Sequence, residues 1–504
     1  MLAIGDFIMG RRFPKFNMFK PDKAMKPEVN RTDVTSAHKG RPRARNLREL
    51  IESGYKMLSV REEMRKNLIG KIERREALFP GIVGFEESVI PQVENAILSG
   101  QDMIFVGERG QAKSRMIRAL VGFLDDEVPA IAGCEINDNP YSPICKSCRE
   151  KIERFGDEVA IAWIPRGLRY GEKLATPDTA IADLIGEVDP VRVAEGRYLS
   201  DELTIHYGLI PRTNRGIFCI NELPDLAERI QVGLFNILEE KDVQIRGYKV
   251  RMPLDVYIVA SANPEDYTNR GRIVSPLRDR YGSEIRTHYP RTLEHEIEIM
   301  EREKTVFGSD TCQTIIPQYM REIVAEISRQ ARRSPEINQR SGVSVRVSIA
   351  NYETMVSNSV RRAIRLSEKQ VAPRISDLPF LVASTKGKIE LEGGEEEKEE
   401  QLIEGLIRSA VLATFNRYFS VHDFDGFLEG FKSSFSIEVS SGMSSKEYVR
   451  IIRQAGGLAD RMERLEAGDN PATIASALEF ILEGLHLNRR LNKDKIEGRA
   501  VYRG

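Results

Sequence analysis

The sequence predicts an α/β fold, a core on a mostly parallel sheet, followed by a helical lid and a C-terminal helical segment. Three observations predict it. Short β-rich runs, "DMIFV" (102–106), "VAIAWI" (159–164), "GIFCI" (216–220) and "VYIVASA" (256–262), alternate with helical patterns, as parallel strands with crossover helices do. The first run feeds a glycine-bearing loop, "GERGQAKSR" (107–115), into a helical repeat with Met116, Ile117, Leu120 and Leu124 on one face. From Thr292 to about Lys386, and again over 402–504, the apolar periodicity is helical.

The whole chain bounds the answer. Its 504 residues suggest about three domains at ~100–200 residues each. A net charge of −1, with 30% charged and 41% hydrophobic residues, argues against a chain whose main work is coating nucleic acid or anionic membrane. No stretch approaches the ~20 apolar residues that cross a bilayer. The opening "MLAIGDFIMGRR" puts its bases after the apolar residues, the wrong order for a secretory signal, and five scattered cysteines make no disulfide framework. A cytoplasmic protein is expected.

Residues 1–45 carry eleven Lys and Arg against four Asp and Glu and read as a basic, disordered arm. Within it "KGRPRAR" is similar to the minor-groove core of an AT-hook. Residues 46–79 read as a charged helical linker with candidate breaks at Gly54 and Gly70. A core follows over 80–290, with a cysteine-bearing insert at 133–155, then the lid over 291–390. An acidic linker at 391–401 ("LEGGEEEKEEQ") leads to the 402–504 segment, and no fixed-period repeat is present.

The loop nearly fits G-x-x-x-x-G-K-[ST], the phosphate-cradling pattern, and its context of strand before and helix after supports it. Gly107, Glu108, Arg109, Gly110, Gln111, Ala112, Lys113, Ser114 and Arg115 are the candidate ATP-binding residues. Backbone N–H groups would hold the phosphates, Lys113 would add charge, and Ser114 would offer a hydroxyl to Mg²⁺. Ala112 replaces the second glycine. A methyl is expected to be harmless there, on the ground that the first helical turn needs no positive φ.

The strand "GIFCI" ends in "NEL", placing Asn221 where an NTPase carries the acid of the Mg²⁺ shell and Glu222 where it carries the base that polarises water. An Asn carbonyl still accepts from metal-bound water, so weaker Mg²⁺ binding is expected. Asn263, ending "VYIVASAN", can orient the water. "SPLRDRYG" sets Arg278 and Arg280 after a proline turn, where a guanidinium can reach a neighbouring subunit's phosphate. In the insert, Cys145 and Cys148 form C-x₂-C with Cys134 ahead of them. They supply either three thiolates to Zn²⁺ with an unidentified fourth ligand, or reduced thiols in a loop. Cys219, in an apolar strand, reads as core.

Residues 80–350 resemble an AAA+ ATPase of the clade holding the magnesium chelatase ATPase subunit and the MoxR proteins. "GERGQAKS" is similar to the MoxR loop, which also has Ala before Lys. "LATPDTAIADLIGEVD" with "YGLIPRTNRGIFCINEL" resembles the chelatase approach to Walker B, and "IQVGLFNILEEKDVQIRGYKVRMPLDVYIVASANPED" resembles the helix, hairpin and sensor-1 strand. The resemblance implies a P-loop AAA+ core with Asn263 as sensor 1, Arg280 as the arginine finger and Arg346 of "GVSVR" (342–346) as the lid arginine on the γ-phosphate. It further implies a homo-oligomeric, hexameric ring hydrolysing ATP with Mg²⁺, and a separate partner with a von Willebrand factor A domain. Three roles compete: remodelling a protein partner, which is favoured; driving a metal chelatase that acts on a tetrapyrrole; and DNA-linked regulation through the basic arm. The last lacks a GAFTGA loop and a helix-turn-helix, so nucleic acid is not the expected partner.

Overall fold

The computed structural model describes residues 43–194, 201–244, 251–264, 271–305, 312–339, 341–392, 396–431, 436–455, 457–496 and 499–504. Arg45–Gly504 form one compact unit; the basic arm, with most of "KGRPRAR", lies outside the described residues.

Five strands build the central sheet: β1 (Met103–Val106), β2 (Tyr170–Leu174), β3 (Gly216–Asn221), β4 (Val256–Ala262) and β5 (Ser283–Arg286). Their order is β5-β1-β4-β3-β2 and every pair is parallel. The period of two sends Met103, Phe105, Ile217, Cys219, Tyr257 and Val259 into one face, and Ile104, Phe218, Ile220, Ile258 and Ala260 into the other. Cys219 is core, as expected.

Two of these strands escape a search for apolar runs. "YGEKL" and "SEIR" are the sheet's edges, β2 and β5, half exposed and therefore polar. Conversely "VAIAWI" lies outside the sheet, since Ile161–Pro165 pairs antiparallel with Glu127–Ile131 in a separate ribbon. Its apolar side chains cover neighbouring chain; Trp163, for example, meets Tyr55 edge-on at 5.7 Å.

Helices α1 (Leu47–Glu52) and α2 (Val60–Glu73) occupy 46–79. The chain breaks between them, as Gly54 suggested, but Gly70 lies inside α2. Ser59 starts that helix with a reciprocal cap to Glu62. The stretch is not a free linker: Val60, Met64 and Leu68 enter the core with Phe105 and Val259. At about 1.5–3 kcal/mol per buried side chain, this packing outweighs the helix's own propensity. Buried Glu63 pairs in bidentate fashion with Arg169, at 2.8 and 2.6 Å, tying α2 to the chain entering β2.

Helices α3 (Ile90–Leu98) and α4 (Lys113–Ala119) cover the same sheet face as α2. α5 (Lys146–Phe155) and α6 (Ser275–Arg280) follow in the insert and after β4. Asp242–Gln244 and Arg251–Pro253 form an antiparallel hairpin, whose tip, 245–250, lies outside the described residues.

The lid holds α7 (Leu293–Glu303), α8 (Gln318–Ala331) and α9 (Val345–Leu366); beyond it come α10 (Glu396–Tyr418) and α11 (Pro471–Leu487). All five share one core, from Met300 to Tyr502. The acidic stretch is not a plain linker either, since 396–401 belong to α10, where glutamates suit a helix N-terminus. Nor is 402–504 wholly helical. Ser436–Val439, Arg499–Arg503 and Asn492–Ile496 form an antiparallel sheet with Arg499–Arg503 central; their length and charge hide them from a periodicity search. Among the described residues no helix is long and apolar enough to cross a membrane.

Candidate functional site

β1 delivers the loop to the top of the sheet, where Gly107 N–H donates to Ala262 O of β4 at 3.1 Å. Lys113, buried at the loop's base, donates Nζ to the carbonyls of Gly107 and, at 2.9 Å, Glu108. Ser114 and Arg115 are exposed on the first turn of α4. Gln111 is buried, and its Oε1 accepts from Glu108 N–H at 3.1 Å and Thr287 Oγ1 at 2.8 Å, bracing the loop against the end of β5. Arg115 pairs with Glu303 of the lid.

The expectation for Ala112 fails. It sits at φ +56°, ψ +15°, left-handed, as Gly110 does at φ +76°. The turn into α4 needs a positive φ at this position, which explains the pattern's second glycine; alanine there costs about 1–2 kcal/mol.

The tips of β3 and β4 join in one network. Glu222 is also left-handed, at φ +53°, and its N–H donates to Ser261 Oγ at 3.1 Å, while that hydroxyl donates to Asn221 Oδ1 at 3.2 Å. Asn221 Nδ2 in turn donates to Glu172 of β2. Arg118 of α4 grips Glu172 with two bonds, 3.0 and 2.9 Å, and Tyr170 OH adds a third at 2.9 Å. Arg118 first, then Tyr170 and Asn221, hold the Glu172 carboxyl below the usual range. Sequence reading missed Glu172 because its edge strand was not recognised. Asn263, buried, follows β4 directly, between the tips of β1 and β3.

The lid meets the loop at Gly110, where a Cβ would collide with Ser344, the N-cap of α9. Arg346 stands exposed on the first turn of α9. Two residues that no motif marks hold this contact. Arg332 pairs with buried Glu296 at 2.8 and 3.0 Å, donates Nε to Val343 O at 2.9 Å and lies over the Tyr289 ring at 4.4 Å. Tyr289 OH reaches Arg109 O at 3.0 Å. An apolar recess beside the loop is lined by Ile82, Val83, Phe85, Pro290, Ile299 and Val345. A larger cleft of about 310 Å³ opens on the loop's other flank, toward Pro264, Arg278 and Arg286.

Arg280 does not join this group. Its guanidinium bonds Glu239 at 2.8 Å and Pro276 O at 2.6 Å and covers the Phe235 ring at 4.7 Å. Arg278 pairs with Glu284 at 2.8 Å.

In the insert, the thiols of Cys134, Cys145 and Cys148 converge with Asp138, all four ligand atoms within 4.8 Å of one another. Bonds from the other two thiols pull the Cys134 pKa well down and push their own up; burial raises that of Asp138.

Residues 195–277 match the family model of the sigma-54 interaction domain. The magnesium-chelatase 38 kDa subunit of Rhodobacter capsulatus is 27% identical over 240 residues, 45% of this chain and 60% of that one. Magnesium-chelatase subunit ChlI of Mesostigma viride is 30% identical over 237 residues, 44% of this chain and 60% of that one. Over these residues the chain is similar to the magnesium-chelatase ChlI subunits. It spans about 60% of the length of the curated relatives it matches. A cryo-EM-based structure of the BchI–BchD complex of magnesium chelatase is similar at 25% identity and TM-score 0.34, over 46% of this chain and 67% of that one. The parallel sheet and the helical lid are those the sequence predicts.

Proposed function

We propose that this AAA+ core binds ATP with Mg²⁺ and hydrolyses it as one subunit of a ring that moves a protein partner. The observation that supports the reading is the adjacency of three parallel strands whose ends lead into the loop bearing Lys113, into Asn263 and into Glu222, with the lid's Ser344 against Gly110. The donor set suits the group. Loop amides and Lys113 would hold phosphate oxygens, Ser114 and Asn221 would serve the ion's shell, and the apolar recess would take the base. Bound Mg²⁺ would supply charge neutralisation at the phosphates.

The protein's own groups do the rest. Glu222 takes a proton from the attacking water, its backbone pinned by Ser261. Asn263 orients that water. Asn221, neutral, hands its N–H to Glu172, so the acid usually found at the end of β3 stands one strand over on β2. Arg346 contacts the γ-phosphate from the lid. Arg280 serves a neighbouring subunit, and its bond to Glu239 does not prevent this, because an exposed pair of that kind holds by about 0–1 kcal/mol. The partner carries a von Willebrand factor A domain, and the cytoplasm is the compartment.

The names of the relatives favour one second reading, a motor that drives a metal chelatase acting on a tetrapyrrole. The ATP reading is tested by nucleotide binding: Lys113→Ala loses it and Glu222→Gln keeps it. Unchanged binding in Lys113→Ala would overturn the site.

A further inference from the structure

We propose that Cys134, Asp138, Cys145 and Cys148 form a closed structural site for a thiophilic divalent cation, Zn²⁺, which fastens the insert to the chain entering β3. Four ligand atoms within 4.8 Å of one another approach a tetrahedron, in which Zn–S bonds of ~2.3 Å set sulfurs about 3.8 Å apart. Cys134, Cys145 and Cys148 are free thiols, with no disulfide among them.

Two independent observations point to a cation. The first is the direction of the backbone amides. Cys134 Sγ accepts from the N–H groups of Ile136 and Asp138, both at 3.4 Å, and Cys145 Sγ accepts from Cys148 N–H at 3.3 Å. Donors aimed at sulfur favour thiolate, the form that binds metal. The second is Asp138. Fully buried, it is held by the amides of Ile144 at 2.9 Å and Cys145 at 3.0 Å, and among the described residues no Lys, Arg or His pairs with it. A buried carboxylate beside three thiols calls for positive charge, and one divalent ion satisfies all four groups. The spacing C-x₃-D-x₆-C-x₂-C hides the fourth ligand from a search for Cys and His.

Four protein ligands leave no open position, so the ion's role is mechanical. It joins the turn after Glu127–Ile131 to the N-terminus of α5. That turn also receives Asn214 Nδ2 on Ile136 O at 3.1 Å, two residues ahead of β3. Lys146 and Arg149 of α5 pair with Asp201 and Glu202 at 2.8 and 2.7 Å.

The test is the metal content of the full chain, purified without added metal, followed by chelation and titration of the unmutated apoprotein with Co²⁺. About one zinc per chain is expected, with loss of zinc in Cys145→Ser and Cys148→Ser and weaker retention in Asp138→Asn by about 10–100-fold. Co²⁺ is expected to give thiolate charge-transfer and tetrahedral d–d bands at one equivalent, a readout that does not depend on whether a variant folds. Metal-free protein that shows no tetrahedral Co²⁺ spectrum, or a disulfide between Cys145 and Cys148, would overturn the site.

Discussion

Asn221 donates its side-chain amide to Glu172, a carboxylate on the neighbouring strand that Arg118 and Tyr170 also hold. The residue that looks like a lost acid is thus one end of a charged network. Its amide suits that place, since an aspartate there would face a second carboxylate and raise the pKa of one of them.

Exchange of the two residues tests this directly. Asn221→Asp alone is expected to destabilise the core by about 1 kcal/mol with little gain in Mg²⁺ affinity, while Asn221→Asp with Glu172→Gln restores stability and tightens Mg²⁺ binding. The coupling in the double-mutant cycle should fall within ~0.5–3 kcal/mol, measured by urea unfolding and Mg²⁺-dependent nucleotide binding. Additive effects would mean the pair is not coupled.

Ala112 gives a second measurable consequence. Glycine at this left-handed position is expected to stabilise the protein by a few tenths to about 1 kcal/mol, the relief of the alanine being partly offset by glycine's greater unfolded entropy. Ala112→Val should destabilise. A loss of stability in Ala112→Gly would count against strain at the loop.

The lid clamp predicts a larger effect. Removing Arg332 leaves Glu296 buried and unneutralised, so Arg332→Ala should cost about 3–5 kcal/mol and weaken nucleotide binding by loosening the Val343–Val345 turn. Arg332→Met with Glu296→Leu should recover most of the stability but not the affinity. Recovery of both would separate the clamp from the nucleotide site.

Much of this was legible in the sequence. The three buried strands of the sheet read directly because strands covered on both faces are continuously apolar, and the loop, Glu222 and Asn263 lie at their ends. The edge strands did not, and with them went Glu172. Asp138 was invisible because its role depends on a turn, not on a motif. Arg332 and Tyr289 act through tertiary contacts nearly 200 residues or more from the loop in sequence, a relationship no local spacing encodes. The strands at Ser436–Val439 and Arg499–Arg503 send Ile437 and Tyr502 into the core shared with the helices, which periodicity over five residues does not show.

A subunit that hydrolyses ATP only with a neighbour is tested most directly by Mg²⁺-dependent ATPase activity across a protein concentration series, for the unmutated chain, Glu222→Gln and Arg280→Ala. Turnover that rises cooperatively with concentration, vanishes in Glu222→Gln and falls by ~10³-fold or more in Arg280→Ala with nucleotide binding intact is the expected result. Specific activity independent of concentration and retained in Arg280→Ala would contradict it.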